Sequence, residues 1–321
     1  MYRVRNAITT ILAAGVLLVV AASAGAQSTP RQADPILGAY RSTVVAVGDI
    51  ACNARVTVTP TECQHAATAR LAESLNPDKV LVLGDTQYFD GTAAEFAGGY
   101  EPTWGRLKDR TLAAVGNHEY HVPGAADYYA YFGAAAGRPD RGFYGTTVSG
   151  WRMIALNSMC SQVGGCEDGS AQQRWLAYDL KRYPTRCTIA FWHHPRYSSK
   201  RTRSGRMSAL WRTLQKGGAD MVLSGHDHDY ERFAPMNAGT QLNYVSGLRS
   251  FVVGTGGQNL FDLSTATWTP GSERLLAQFG VLELTLYSRG YRWAFHTIDG
   301  EVADSGFDLC HGRPAPVLPA Y

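Results

Sequence analysis

Five short apolar runs, Thr43–Val47, Val80–Leu83, Leu112–Val115, Thr188–Trp192 and Met221–Leu223, constrain this chain more than any other feature. Each is aliphatic or β-branched and lacks polar alternation, the pattern of strands buried on both faces in a parallel sheet covered by helices. Each also ends on a block of ligand-type residues: Gly48-Asp49, Gly84-Asp85-Thr86-Gln87-Tyr88, Gly116-Asn117-His118-Glu119, His193-His194-Pro195 and Gly225-His226-Asp227-His228. Open α/β sheets bind ligands beyond the carboxyl ends of their strands. The spacing therefore predicts five loops converging on one crevice. A glycine precedes Asp49, Asp85, Asn117 and His226, where it lets the backbone turn sharply and approach an ion.

Taken singly, these residues have ordinary explanations. An Asp or Asn at a strand end is most often a turn former that bonds its own backbone, and Tyr88 alone reads as a core aromatic with a satisfied hydroxyl. Their joint order is what points to a site. Carboxylates, an amide, imidazoles and a phenol make a mixed oxygen and nitrogen set without thiolate, which suits iron, manganese or zinc. Seven candidate ligands exceed what one four-coordinate catalytic zinc takes from protein, so the set implies two ions, with the two oxygens of Asp85 able to bridge them.

From Val44 to Arg232, and more weakly to Gly254-Thr255-Gly256-Gly257, the blocks resemble those of the calcineurin-like metallophosphoesterases, specifically the purple acid phosphatase branch. The superfamily opens with an Asp-x-His block, whereas Asp49 is followed by Ile50 and Ala51, so one histidine is missing. The purple branch fills that vacancy with a tyrosine in the second block, and Tyr88 stands there. The resemblance implies an α/β fold arranged as a four-layer α/β/β/α sandwich. It assigns one metal to Asp49, Asp85, Tyr88 and His228 and the other to Asp85, Asn117, His193 and His226. It further implies iron in the Tyr88 site and iron, zinc or manganese in the second. The expected reaction is hydrolysis of a small phosphate monoester by metal-activated water, with His118 contacting the phosphate or protonating the leaving oxygen and His194 as a second substrate contact. Glu119 and Asp227 are expected to orient neighbouring histidines. Two alternatives remain: a phosphodiesterase or nucleotidase of the same superfamily, and a non-catalytic metal or phosphate binder, against which the His118 beside Asn117 argues.

The rest of the chain agrees. At 321 residues, 45% hydrophobic and 18% charged, it buries a sizeable core. A formal charge of +3, two units of it from Arg3 and Arg5, gives no sign of a nucleic-acid binder. Lys200, Arg201, Arg203 and Arg206 read as a solvated loop, or alternatively as steering for an anionic substrate. Arg3, Arg5, the apolar stretch Ile8–Ala22 and Ala24-Gly25-Ala26 read as a signal peptide over 1–26, followed by a linker over 27–41 and a catalytic domain over 42–321. Secretion and no stable membrane association after cleavage are the expectation. Six cysteines in an exported chain suggest disulfides, with fifteen possible connectivities. Proximity favours Cys52–Cys63 and Cys160–Cys166, leaving Cys187–Cys310. Helical spacing appears over Gln64–Leu75, over Gln172–Leu180 with Ser170 as cap, and over Met207–Leu214. Strand-like pieces after Arg232, Phe251–Val253, Val281–Leu286 and Tyr291–Thr297, with a turn at Ser288-Arg289-Gly290, suggest a second sheet.

Overall fold

The computed structural model describes residues 32–200 and 205–312. The expected signal peptide, residues 27–31 of the expected linker, and Arg201 and Arg203 lie outside them. In chain order the strands among the described residues are β1 (Tyr40–Val47), β2 (Lys79–Leu83), β3 (Thr111–Ala114), β4 (Tyr144–Val148), β5 (Trp151–Ala155), β6 (Cys187–Phe191), β7 (Met221–Ser224), β8 (Tyr230–Met236), β9 (Leu248–Val253), β10 (Ser272–Leu276), β11 (Gly280–Tyr287), β12 (Gly290–Thr297) and β13 (Val302–Leu309). They form two sheets, ordered β13-β12-β11-β1-β2-β3 and β10-β8-β9-β7-β6-β5-β4.

Alternate residues of the second sheet face two different cores. Ile189 and Phe191 of β6, with Met221 and Leu223 of β7, join the cluster that holds Val44–Val47 of β1 and Val80–Leu83 of β2. Ala190, Trp192 and Val222 point the other way, onto Leu176, Leu210, Trp211 and Leu214. Those last residues belong to helices Ala171–Arg182 and Ser208–Gly217. Ala69 and Ala72 of helix His65–Ser74 pack with the residues of β1 and β2 of the first sheet. The four layers expected from the resemblance are thus present, and burial on both faces explains why the runs lack polar alternation. Ser170 caps its helix as expected, its side chain accepting from Gln173 N at 3.3 Å.

The strands are distributed differently from the sequence expectation in two respects. The five ligand-bearing strands do not share one parallel sheet: β1, β2 and β3 run parallel in the first, while β6 and β7 run parallel in the second. Nor is the second sheet made from the chain after Arg232. Strand β11 returns antiparallel to β1 and brings β12 and β13 into the first sheet, whereas β9 lies in the second beside β7. Apolar runs show burial but not which neighbour covers them, so the partition was not readable. Strand β1 also starts at Tyr40, inside the expected linker.

All three disulfides pair as proximity suggested: Cys52–Cys63, Cys160–Cys166 and Cys187–Cys310. The last ties Cys310, next after β13, to strand β6 across a separation of 123 residues. Closing so long a loop removes the most entropy from the unfolded chain. Replacing both Cys187 and Cys310 by Ser is expected to lower unfolding stability by about 2–5 kcal/mol, read from the denaturant midpoint at constant slope. The Cys160/Cys166 pair, separated by 6 residues, is expected to cost less. An equal or smaller loss for the long loop would contradict the entropic reading.

Among the described residues no helix is long and apolar enough to cross a membrane.

Candidate metal centre

The five blocks occupy the carboxyl ends of β1, β2 and β3 in one sheet and β6 and β7 in the other, and the two sheets bring those ends together. Backbone bonds stitch the loops: Asp49 N donates to Gly84 O at 3.1 Å and Gly225 N to His193 O at 3.0 Å. The glycines serve this approach more than the turn. A Cβ at Gly225 would lie 2.5 Å from Asp49 Oδ2, and one at Gly116 would overlap Asp85 Oδ1. Three of the candidate ligands are themselves left-handed, Asp49 (φ 59°), Asp85 (φ 47°) and His226 (φ 70°). Non-glycine residues are held there only where surrounding structure compels it, and such strain concentrates at functional sites.

The candidate ligand atoms converge. Tyr88 Oη donates toward Asp49 Oδ1 at 2.9 Å and Asp85 Oδ2 at 3.1 Å, and lies 3.1 Å from His228 Nε2. On the other side of Asp85, His193 Nε2 is 3.2 Å from Oδ2, 3.1 Å from Asn117 Oδ1 and 3.1 Å from His226 Nδ1. Asp85 therefore stands between two groups, one holding Asp49, Tyr88 and His228, the other Asn117, His193 and His226. Two of the imidazoles are oriented from behind. His193 Nδ1 donates to Leu83 O at 3.0 Å and His228 Nδ1 to Asn259 Oδ1 at 2.7 Å, so that each ring in its neutral form presents an Nε2 lone pair to a cation.

The donor set fits two cations on physical grounds. Asp49 and Asp85 are buried, and their only ion-pair partners among the described residues are imidazoles. Buried carboxylates without a fixed positive partner are costly, and inserted cations remove that cost. Burial, with the charges of Asp49 and Asp85, pushes the Tyr88 hydroxyl well above its usual range. A phenolate would form there only against a strongly charged ion, as expected for a ferric site.

His118 sits on the open side. Its Nδ1 donates to Phe89 O at 2.6 Å, its ring lies 4.2 Å from that of Tyr88, and its Nε2 is 3.8 Å from Asp85 Oδ2. A cleft of about 200 Å³ is lined by His118 together with Asp85, Tyr88, His228 and Phe261. His121 shares the Phe89 carbonyl at 3.1 Å and pairs with Asp90 at 3.0 Å. His194 is packed against the second group, its ring 4.2 Å from that of His226. A larger cavity of about 730 Å³ between the Cys160–Cys166 loop and the start of helix Ser208–Gly217 contains none of the seven candidate ligands.

Glu119 and Asp227 bear on histidines through their charges, Glu119 on His193 and Asp227 on His226, while the hydrogen bonds of Glu119 run to backbone and a hydroxyl and not to an imidazole. The buried Glu119 carboxylate accepts from Thr86 N at 2.6 Å, Asp85 N at 3.1 Å and Gly116 N at 2.7 Å, clamping the second loop to the third. Asp227 accepts from Ser198 Oγ. Sequence reasoning missed Asn259, which lies beyond the glycines of Gly254–Gly257 with no periodic signal of its own. It also missed Ser158, which follows β5 and bonds His194 Nδ1 at 3.0 Å. Lys200 is turned away to Asp262 O and Thr265 Oγ1.

Comparison with known proteins places these features in context. Residues 42–230 match the family described as calcineurin-like phosphoesterase. The probable purple acid phosphatase 20 of Arabidopsis thaliana is 30% identical over 175 residues, spanning 50% of this chain and 39% of that one. The chain thus spans well under half the length of that curated relative. A purple acid phosphatase from yellow lupin seeds superposes with a TM-score of 0.64 at 19% identity, covering 91% of this chain and 58% of that chain. GAP50, an anchor in the inner membrane complex of Plasmodium, superposes with a TM-score of 0.59 at 15% identity over 86% of this chain and 90% of that one. At those identities the superpositions show a shared fold, and function has to be argued from the site.

Proposed function

The chain belongs to the calcineurin-like phosphoesterase family, matched over residues 42–230, and from that premise we propose that it is a secreted dinuclear-metal hydrolase of phosphate monoesters, similar to the purple acid phosphatases. The observation that carries this reading is the position of Tyr88. Its hydroxyl lies within 3.1 Å of Asp49, Asp85 and His228, supplying the ligand that Ala51 does not. Asp49, Asp85, Tyr88 and His228 would hold one ion, iron, and Asp85, Asn117, His193 and His226 the other, iron, zinc or manganese.

When bound, the ions supply positive charge that polarises phosphoryl oxygens and acidifies water. The chain's own residues do the rest. The Glu119 clamp fixes the loops that carry Asp85 and Asn117 relative to one another. His118, anchored through Nδ1 to Phe89 O, presents Nε2 to the cleft, where it bonds the phosphate or delivers a proton to the leaving oxygen. His194, packed beside His226, is the second histidine assigned to substrate contact. Three disulfides support passage through an oxidising compartment, and secretion follows from the expected signal over 1–26 with a domain over 42–321.

His118→Ala is expected to keep its metal content and to lose on the order of 10²–10⁴-fold in kcat on a monoester with a poor leaving group. The loss should shrink on an activated aryl phosphate. Equal losses on both would leave phosphate positioning, not proton delivery, as its role. Hydrolysis rates of the secreted protein on a panel of monoesters and diesters, with metal analysis of the same sample, test the whole reading. Faster turnover of diesters would replace the monoesterase assignment.

A further inference from the structure

We propose that Ser158 fixes the imidazole of His194 as its Nε2–H tautomer, making His194 a hydrogen-bond donor to the substrate's phosphate group. This rests on the phosphoesterase reading and assigns Ser158, on a sixth loop, as a positioning residue.

The loop is brought there by strand pairing. β5 runs parallel to β6, with Ala155 opposite Phe191, and Leu156 N extends the ladder by donating to Phe191 O at 2.9 Å. The residues after each strand therefore emerge side by side, Asn157 and Ser158 beside His193 and His194. The loop is held on several sides. Asn157 Nδ2 donates to Tyr120 Oη at 2.8 Å and Asn157 N to Gln172 Oε1 at 2.7 Å, and the Cys160–Cys166 disulfide follows directly.

Ser158 is buried and makes two bonds to one residue. Its Oγ accepts the backbone N–H of His194 at 3.0 Å and lies 3.0 Å from His194 Nδ1. A hydroxyl has one proton to give. Among the described residues Ser158 Oγ has no other hydrogen-bond acceptor than His194 Nδ1, so it donates its hydrogen bond to Nδ1, and a neutral ring then carries its own proton on Nε2. The opposite arrangement, Nδ1–H donating to a serine that already accepts one bond, would leave a buried hydroxyl proton with nowhere to go, which is costly. The main chain is pinned as well, since Trp192 Nε1 donates to His194 O at 2.8 Å.

The result differs from the histidines assigned to metal. His193 and His228 give their Nδ1 protons to oxygens behind them and so offer bare Nε2 atoms. His194 accepts a hydrogen bond at Nδ1 and so offers Nε2–H. One of its ring nitrogens lies within 4.8 Å of a ring nitrogen of each of His193 and His226. It is close enough to share their surroundings, and a protonated Nε2 suits it to a phosphoryl oxygen, not to a cation.

Two measurements test this. In metal-free wild-type protein labelled with 15N at histidine, the His194 signals, identified by their loss in His194→Gln, are expected to show the proton on Nε2. A proton on Nδ1 would overturn the assignment, whether or not the protein hydrolyses any ester. In metal-loaded Ser158→Ala, metal content is expected to stay unchanged while the Kd for inorganic phosphate and the KM rise about tenfold, the loss of one well-aligned bond to a charged group, with kcat within about twofold. Unchanged phosphate affinity, or loss of a metal ion, would show that Ser158 only supports the loop.

Discussion

Asp85→Asn is expected to nearly abolish hydrolysis and to lower occupancy of both metal positions together. A single oxygen of Asp85 reaches side chains of both groups: Oδ2 lies 3.1 Å from Tyr88 Oη and 3.2 Å from His193 Nε2. An amide keeps the shape and one acceptor oxygen but loses the charge and replaces the other oxygen with a donor. The buried site would then hold one carboxylate where two had compensated the ions. Losing an outer partner of a metal ligand typically costs about 10–100-fold, and losing the bridge should exceed that, to at least about 10³-fold in kcat/KM. Asn117→Ala, by contrast, should weaken mainly the group of His193 and His226. Metal analysis of the two variants separates these outcomes, and full occupancy in Asp85→Asn would remove the bridging role.

Tyr88→Phe is expected to remove the colour of the iron-loaded protein completely while leaving the fold intact. Phenolate bound to ferric iron gives a charge-transfer band, and phenylalanine offers no oxygen. The ring itself is buried and contacts His118 at 4.2 Å, so the isosteric replacement keeps the packing. Two buried carboxylates beside the hydroxyl oppose ionisation, so a persistent band in wild type would mean that the ion supplies the opposing charge. An active, iron-loaded wild type without such a band would refute ligation by Tyr88 and leave the other six ligands standing.

How much of this was legible in the sequence depended on whether a residue carried a local signal. Asp49, Asp85, Asn117, His193 and His226 each close an apolar run, so strand and ligand announce one another, and the structure brings all five together with Tyr88 and His228. Strand β5 was hidden because Arg152 interrupts its apolar run. Only the structure shows that Arg152 is buried against Asp179 of helix Ala171–Arg182. Without β5 there was no way to see Ser158 beside His194. Glu119 was visible but misassigned, since a carboxylate next to a histidine in sequence gives no hint that it turns back onto the amides of Asp85, Thr86 and Gly116. The division of the thirteen described strands between two sheets is decided by long-range pairing, such as β11 against β1, to which local periodicity is blind.

The central claim is that this cleft hydrolyses phosphate monoesters through two bound ions. Phosphate release from an aryl monoester should be measured on the protein as purified, after stripping with a chelator, and after reloading with iron alone or with iron plus zinc or manganese, with ions counted in each sample. The expected result is two ions per chain in the active samples, loss of release on stripping, and recovery only when both positions refill. Undiminished release from the stripped protein, or no release of phosphate from any ester by protein carrying two ions, would contradict it.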